Sequence, residues 1–260
     1  MGGALYLVPT SLSPDVLSAS LPPAVQQTVM ELHGFVAENA RSARRFLKAI
    51  GYPLPLAQVP IAELNEHTPA AALPALLAPV RAGQRIGVLS EAGCPAVADP
   101  GAALIALAHR EGLRVVPLVG PSSLLLALMA SGLNGQRFCF HGYLPVERED
   151  CTHALKRLES ESLARQSTQI FIEAPYRNTR LLATILGACR DDTLLCLAAE
   201  LTLPGEQIAT KTVGQWRGTA IDLQRRPTVF LLQAVSPGAS ETAPRGCVSR
   251  YDKASPRHRA

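Results

Sequence analysis

Short apolar runs alternate with segments of helical period through the first half of the chain. Ala4 to Val8, Gly34 to Ala37, Ile86 to Leu89 and Arg114 to Leu118 each read as strands. Their length and continuous apolarity suit a parallel sheet covered on both faces. Between them stand helix patterns. Asn39 can cap a helix through Ile50, with Ala43, Phe46, Leu47 and Ile50 on one face and Arg41, Arg44, Arg45 and Lys48 on another. Ala70 to Ala82 predicts a helix ending at Gly83. Pro100 to Arg110 predicts another, with Asp99-Pro100 as N-cap and first turn and Gly112 as stop. Leu124 to Ala130 is apolar almost all round, which predicts a buried helix ended by Gly132. Thr10 to Gln27 predicts loop and a short helix, and Val59 to Pro69 an irregular connection.

This alternation predicts a mainly parallel sheet with right-handed crossovers. After Phe138 the texture changes. Phe138 to Gly142, Thr168 to Glu173 and Thr193 to Ala199 read as strands, and Glu147 to Gln166 and Asn178 to Cys189 as helices. Gln207 to Val213 and Thr228 to Gln233 read as paired strands separated by a loop containing Trp216. A boundary near Asn134 to Arg137 divides the chain into two α/β domains, 1–135 and 136–235, the second with a mixed sheet. From Ser236 onward, Pro, Gly, Ser and Arg predict a disordered basic tail, 236–260.

Composition changes this picture little. Among 260 residues, 47% are hydrophobic and 18% charged, as in ordinary soluble globular proteins. No apolar run reaches the roughly 18 uncharged residues of a membrane span; Val115 to Met129 is broken by Pro117 and Pro121. The start, MGGALYLVPT, lacks a basic n-region, so no secretory signal is expected. The six cysteines form no C-x-x-C pair and the histidines show no ligand spacing, which predicts reduced thiols, a cytoplasmic location and no metal site. Charge matters by place. Arg245, Arg250, Lys253, Arg257 and Arg259 against Asp252 account for the whole net charge of +4. The body is therefore neutral, and a nucleic-acid partner would need a local basic patch.

Two loops attract attention as ligand sites. Arg85 to Gly101 ends a strand in a turn containing Gly93, Pro95, Pro100 and Gly101, where a ligand crevice or an ordinary tight turn are both open readings. Gly120-Pro121-Ser122-Ser123 places Pro121 in the first helical turn and two serines among free N–H groups. The cationic face of Arg41, Arg44, Arg45 and Lys48 could meet phosphates or simply be solvated.

GALYLVPT, VAENAR, SEAGCPAVADPG, VPLVGPSSLLLALMASGL, FHGYLP, EAPYRN and AAELTLPGE follow one another over about residues 3–234. In that order they resemble the tetrapyrrole methylase superfamily, and within it are most similar to the ribosomal RNA small-subunit methyltransferase I family. The resemblance implies two α/β domains with S-adenosylmethionine folded in the cleft between them, and a homodimer. It implies cofactor contacts from Pro9, Gly93, Cys94, Val97, Ser122, Ser123, Ala174 and Leu201. It further implies RNA or the small ribosomal subunit as partner and a ribose hydroxyl as acceptor. Glu38 and Glu91 are then candidates to take the acceptor's proton, and Arg41, Arg44, Arg45 and Arg177 to anchor substrate. Each carboxylate has a bland alternative, pairing with Arg41 or capping backbone. The chain departs from the family pattern at Glu38-Asn39-Ala40-Arg41, where one carboxylate is lost, and at Ala199-Glu200-Leu201-Thr202-Leu203, where both cations are lost. Two other readings therefore remain open: methylation of a tetrapyrrole or other small acceptor, and a non-catalytic RNA- or partner-binding relative.

Overall fold

The computed structural model describes residues 2–13 and 20–235. Two five-stranded sheets organise the chain. The first contains β1 (Ala4–Val8), β2 (Gly34–Ala37), β3 (Ile61–Glu63), β4 (Arg85–Leu89) and β5 (Arg114–Pro117), ordered β3-β2-β4-β1-β5 with every pairing parallel. Parallel pairing aligns the carboxyl ends of all these strands on one edge. The helices α1 (Pro23–Met30) and α2 (Ala40–Ala49) cover one face; α3 (Leu73–Arg81) and α4 (Ala102–Arg110) cover the other. Alternation decides this: Phe35 joins the α1–α2 core, and its neighbour Val36 the α3–α4 core.

The second sheet has the order β6-β7-β10-β8-β9, built from β6 (Phe138–Tyr143), β7 (Thr168–Ile172), β8 (Leu194–Ala199), β9 (Gln207–Thr212) and β10 (Thr228–Gln233). Only β6 and β7 pair in parallel, so the sheet is mixed. On one face α6 (Arg148–Arg165), α7 (Asn178–Ala188) and α8 (Val213–Arg217) enclose a core centred on Phe171 and Phe230, stacked 5.8 Å apart. On the other, α5 (Ser123–Ser131) buries Ala127 and Leu128 against Ile170, Cys196, Val229 and Leu231. Thus α5 follows the first sheet in sequence but packs under the second.

Several expectations are corrected. The strands β9 and β10 are not partners, because β8 lies between them. Trp216 sits on α8 and not in a loop: Thr212 and Gln215 form a reciprocal capping box, and the indole N–H donates to the Leu195 carbonyl at 2.8 Å. Helix α5 is not buried all round, since Leu125 and Met129 are 52% and 79% exposed. Its N-cap is Ser122, which leaves Pro121 outside the helix. Helix α4 starts at Ala102 after Gly101, whose φ of 134° only glycine adopts easily, so Asp99-Pro100 is not its cap. The connection Val59 to Pro69 contains β3, and Ala70 to Ala72 form a 3-10 turn before α3. Part of the Thr10 to Gln27 segment and the tail 236–260 fall outside the described residues.

Candidate active site

The carboxyl edge of the first sheet is tied together by its own backbone. After β1, Thr10 exchanges two hydrogen bonds with Gly93, its N–H donating at 2.9 Å and its carbonyl accepting at 3.2 Å. The Ser90 hydroxyl donates to the Gly93 carbonyl at 2.7 Å. Beyond Gly93 the chain takes left-handed turns at Ala96 (φ 65°) and Ala98 (φ 62°), conformations that cost a residue with a Cβ about 1 kcal/mol or more each. Loop strain of this kind is characteristic of ligand sites. Pro9 is buried against Gly120: a Cβ at Gly120 would come within 2.3 Å of the Pro9 ring, so only glycine permits this approach.

An open cleft of about 530 Å³ lies beside this loop. It is lined by Gly93, Cys94, Val97 and Asp99, by Ser122 and Ser123 at the start of α5, and by Tyr143 and Ile172 from the ends of β6 and β7. Two strands of the second sheet therefore complete a site founded on the first. Ser122 makes no side-chain cap, so the first N–H groups of α5 and both serine hydroxyls have no partner among the described residues. Cys94 donates its S–H to the Pro121 carbonyl at 3.4 Å, and burial pushes its thiol up, so it is a neutral wall and not a thiolate.

Of the residues that the resemblance assigns to the cofactor, the cleft brings together Gly93, Cys94, Val97, Ser122 and Ser123, while Pro9, Ala174 and Leu201 do not line it. Ala174 lies two residues beyond Ile172, its N–H donating to the Glu173 carboxylate at 2.7 Å. Leu201 is buried in the core between α5 and the second sheet, so its side chain is a packing group.

Carboxylates collect next to the cleft. Asp99 lines it and also lines a smaller cavity of about 200 Å³ with Glu38 and Ser90. Burial, then the charges of Glu38 and Glu91, push the Asp99 carboxyl up to about 6. The Glu38 carboxyl is raised too, first by burial and then by Glu91 and Glu66. Glu91 accepts from the Ser42 hydroxyl at 3.1 Å and does not pair with Arg41. Asp99 escaped the sequence reading because Asp-Pro before a helix pattern mimics a cap.

On the other side of Glu91 a cavity of about 620 Å³ is lined by Thr10, Ser11, Ser42, Arg45 and Phe46. Arg41, Arg44 and Arg45 are exposed along α2 and make no ion pair among the described residues. The lost carboxylate at Asn39 has a structural use here, since its side chain caps α2 by accepting from the N–H groups of Arg41 and Ser42. Arg177 is held by Glu173 at 2.6 Å. Glu200 is paired with Arg226 at 2.8 Å.

Residues 23–216 match the sequence model of the family described as Tetrapyrrole (Corrin/Porphyrin) Methylases. The chain belongs to this family. A tetrapyrrole methylase of this kind is a methyltransferase with S-adenosylmethionine as methyl donor. The chain is similar to proteins named ribosomal RNA small subunit methyltransferase I. It is 32% identical to that of Escherichia coli O157:H7, over 82% of this chain and 70% of the relative. It is 34% identical to that of Mesorhizobium japonicum, over 81% and 67%. For the Bacillus subtilis protein the figures are 31%, 86% and 72%. Among solved structures, the methyltransferase CobJ superposes with a TM-score of 0.59 at 19% identity, covering 90% of this chain and 95% of CobJ. A conserved hypothetical protein from Aeropyrum pernix K1 gives 0.65 at 15%, covering 90% and 85%. These structural likenesses show the two-sheet methylase fold.

The site fits the family's donor. The cleft is open to solvent and is bounded by backbone-rich loops from the first sheet and by strand ends from the second, a concave site of the kind that holds a small ligand. Its lining is half polar: Val97, Leu124 and Ile172 suit the ring and methylene parts, and the uncapped start of α5 offers N–H groups to a carboxylate. Among the described residues there is no group of His, Cys, Asp and Glu arranged to hold a metal ion, and no helix long and apolar enough to cross a membrane.

Proposed function

We propose that this chain methylates a ribose 2′-hydroxyl of small-subunit ribosomal RNA, acting as a cytoplasmic homodimer. The observation that carries the reading is the meeting of Gly93, Cys94, Val97, Ser122 and Ser123 with Tyr143 and Ile172 in one cleft whose wall includes Asp99. The names of the relatives support the RNA acceptor, and the unpaired cations of α2 beside the Glu91 cavity support phosphate contact. The exposed Leu125 and Met129, one turn apart on α5, support a second copy.

Bound S-adenosylmethionine supplies a methyl group made electrophilic by its sulfonium. Around it the Gly93–Val97 loop, Ser122, Ser123 and Ile172 hold the donor and exclude water, so that alignment accounts for much of the rate. Asp99 takes the proton as the acceptor hydroxyl becomes an ether oxygen, with Glu38 beside it holding its carboxyl high; a carboxyl near 6 is matched to that task at neutral pH. Glu91 contributes by keeping both groups high, and Arg41, Arg44, Arg45 and Arg177 hold the RNA. Calorimetric titration with S-adenosylmethionine and S-adenosylhomocysteine tests the cleft. Micromolar binding lost in Ser122→Trp supports the assignment; binding equal in parent and variant moves the cofactor elsewhere.

A further inference from the structure

Behind the ends of β6 and β7, on the sheet face opposite α5, lies a shallow, open cavity separate from the cofactor cleft. Three guanidinium groups line it: Arg148 from the first turn of α6, Arg177 from the 3-10 turn Pro175–Arg177, and Arg180 from α7. Glu173 is the acidic group in its wall, and that carboxylate is bound to Arg177 at 2.6 and 2.9 Å. Arg148 and Arg180 are exposed and form no ion pair among the described residues. Among its lining residues the cavity keeps an excess of two positive charges, with Glu149 and Asp150 following Arg148 in the first turn of α6, beside a half-apolar wall of Pro145, Val146 and Leu181. A second feature adjoins Arg177 in the chain. Tyr176 is 70% exposed, with the Arg177 guanidinium 5.4 Å from its ring centroid.

An exposed aromatic face backed by a guanidinium is the platform on which unpaired bases stack, and free arginines beside it are what a phosphodiester backbone requires. The position links the platform to the chemistry. Ile172 lines the cofactor cleft and its neighbour Glu173 the arginine cavity, so the two sites lie on opposite faces of the sheet at the same strand end. We propose that Arg148, Arg180 and Tyr176 form a second single-stranded RNA subsite, which holds the phosphates and one unstacked base of a nucleotide flanking the acceptor. The inference rests on the RNA reading of the cleft. It adds to the α2 cations and Arg177 two further cations and an aromatic face beside the second sheet.

The test is binding of naked small-subunit ribosomal RNA at several salt concentrations, by parent and by Arg148→Gln with Arg180→Gln. Arg110→Gln with Arg114→Gln, at the last residue of α4 and the first of β5 and outside the cleft lining, removes the same charge as a control. Losing two phosphate contacts to a single strand is expected to weaken binding on the order of ten-fold and to flatten the log–log salt slope by about 1.4. Tyr176→Ala is expected to weaken it by a similar factor without changing the slope. In methyl transfer the arginine variant raises KM for RNA and leaves kcat and the affinity for S-adenosylhomocysteine unchanged, which also establishes that it is folded. Parent-like RNA affinity and slope in the arginine variant overturn the subsite while the proposed function stands. A parent that binds cofactor but no RNA overturns both.

Discussion

Asp99→Asn separates stability from catalysis at a single carboxylate. Folding raises this group from an ordinary 3.8 to about 6, through burial and the charges of Glu38 and Glu91. The folded state therefore holds the proton more tightly than the unfolded chain does. The stability this gives is fully present below about 3.8 and is lost as pH rises to about 6. At pH 8 the parent carries the whole penalty. The full gap corresponds to roughly 3 kcal/mol. Because Asp99 is partly open to solvent, screening reduces this to about 1 kcal/mol. Asparagine keeps the shape without the charge. The variant is expected to melt about 2–4 °C above the parent at pH 8, with the gap closing as pH falls through 6. Methyl transfer should drop by about 10² or more, and the acid limb of the pH–rate profile near 6 should disappear. Thermal melts at pH 5 and pH 8 with single-turnover transfer of labelled methyl measure both. A variant less stable than the parent at pH 8, or one that transfers methyl at the parental rate, refutes this account of Asp99.

Other positions give equally direct readouts. Gly120→Ala drives a methyl into the Pro9 ring, 2.3 Å away, and should cost about 1–3 kcal/mol in urea unfolding while weakening cofactor binding, because Pro9 and the α5 start must separate. Arg44→Glu with Arg45→Glu should weaken RNA binding and reduce its salt dependence, with unchanged S-adenosylhomocysteine affinity in calorimetry. Equal RNA affinity in that variant would remove α2 from the substrate surface.

Local pattern made four of the five strands of the first sheet legible. They are short, mostly apolar and punctuated by Pro or Gly, and parallel pairing follows from the helices between them; β3, only three residues long and ending in Glu63, carried no such run and was read as an irregular connection. Pairing within the second sheet was not legible, because alternation in Gln207 to Thr212 marks a strand without naming its neighbour. The helix bearing Trp216 did carry a signal, the spacing of Thr212 and Gln215 that makes a capping box. The all-apolar pattern of Leu124 to Ala130 identified a helix but could not separate Leu128, in the core, from Met129, on the surface. At the site, the glycine and serine loops stood out as sequence. Asp99 did not, because its role depends on Glu38 arriving from the end of β2 and on the loop after β4 folding Asp99 back beside Glu91, a property of the folded edge alone.

The most direct test of the account is transfer of a labelled methyl group from S-adenosylmethionine to small ribosomal subunits lacking this modification, followed by mapping of the labelled nucleotide. The account predicts label on a ribose 2′-oxygen of the small-subunit RNA, lost in Ser122→Trp. Label on a base, on protein, or on a small tetrapyrrole with none on RNA contradicts it.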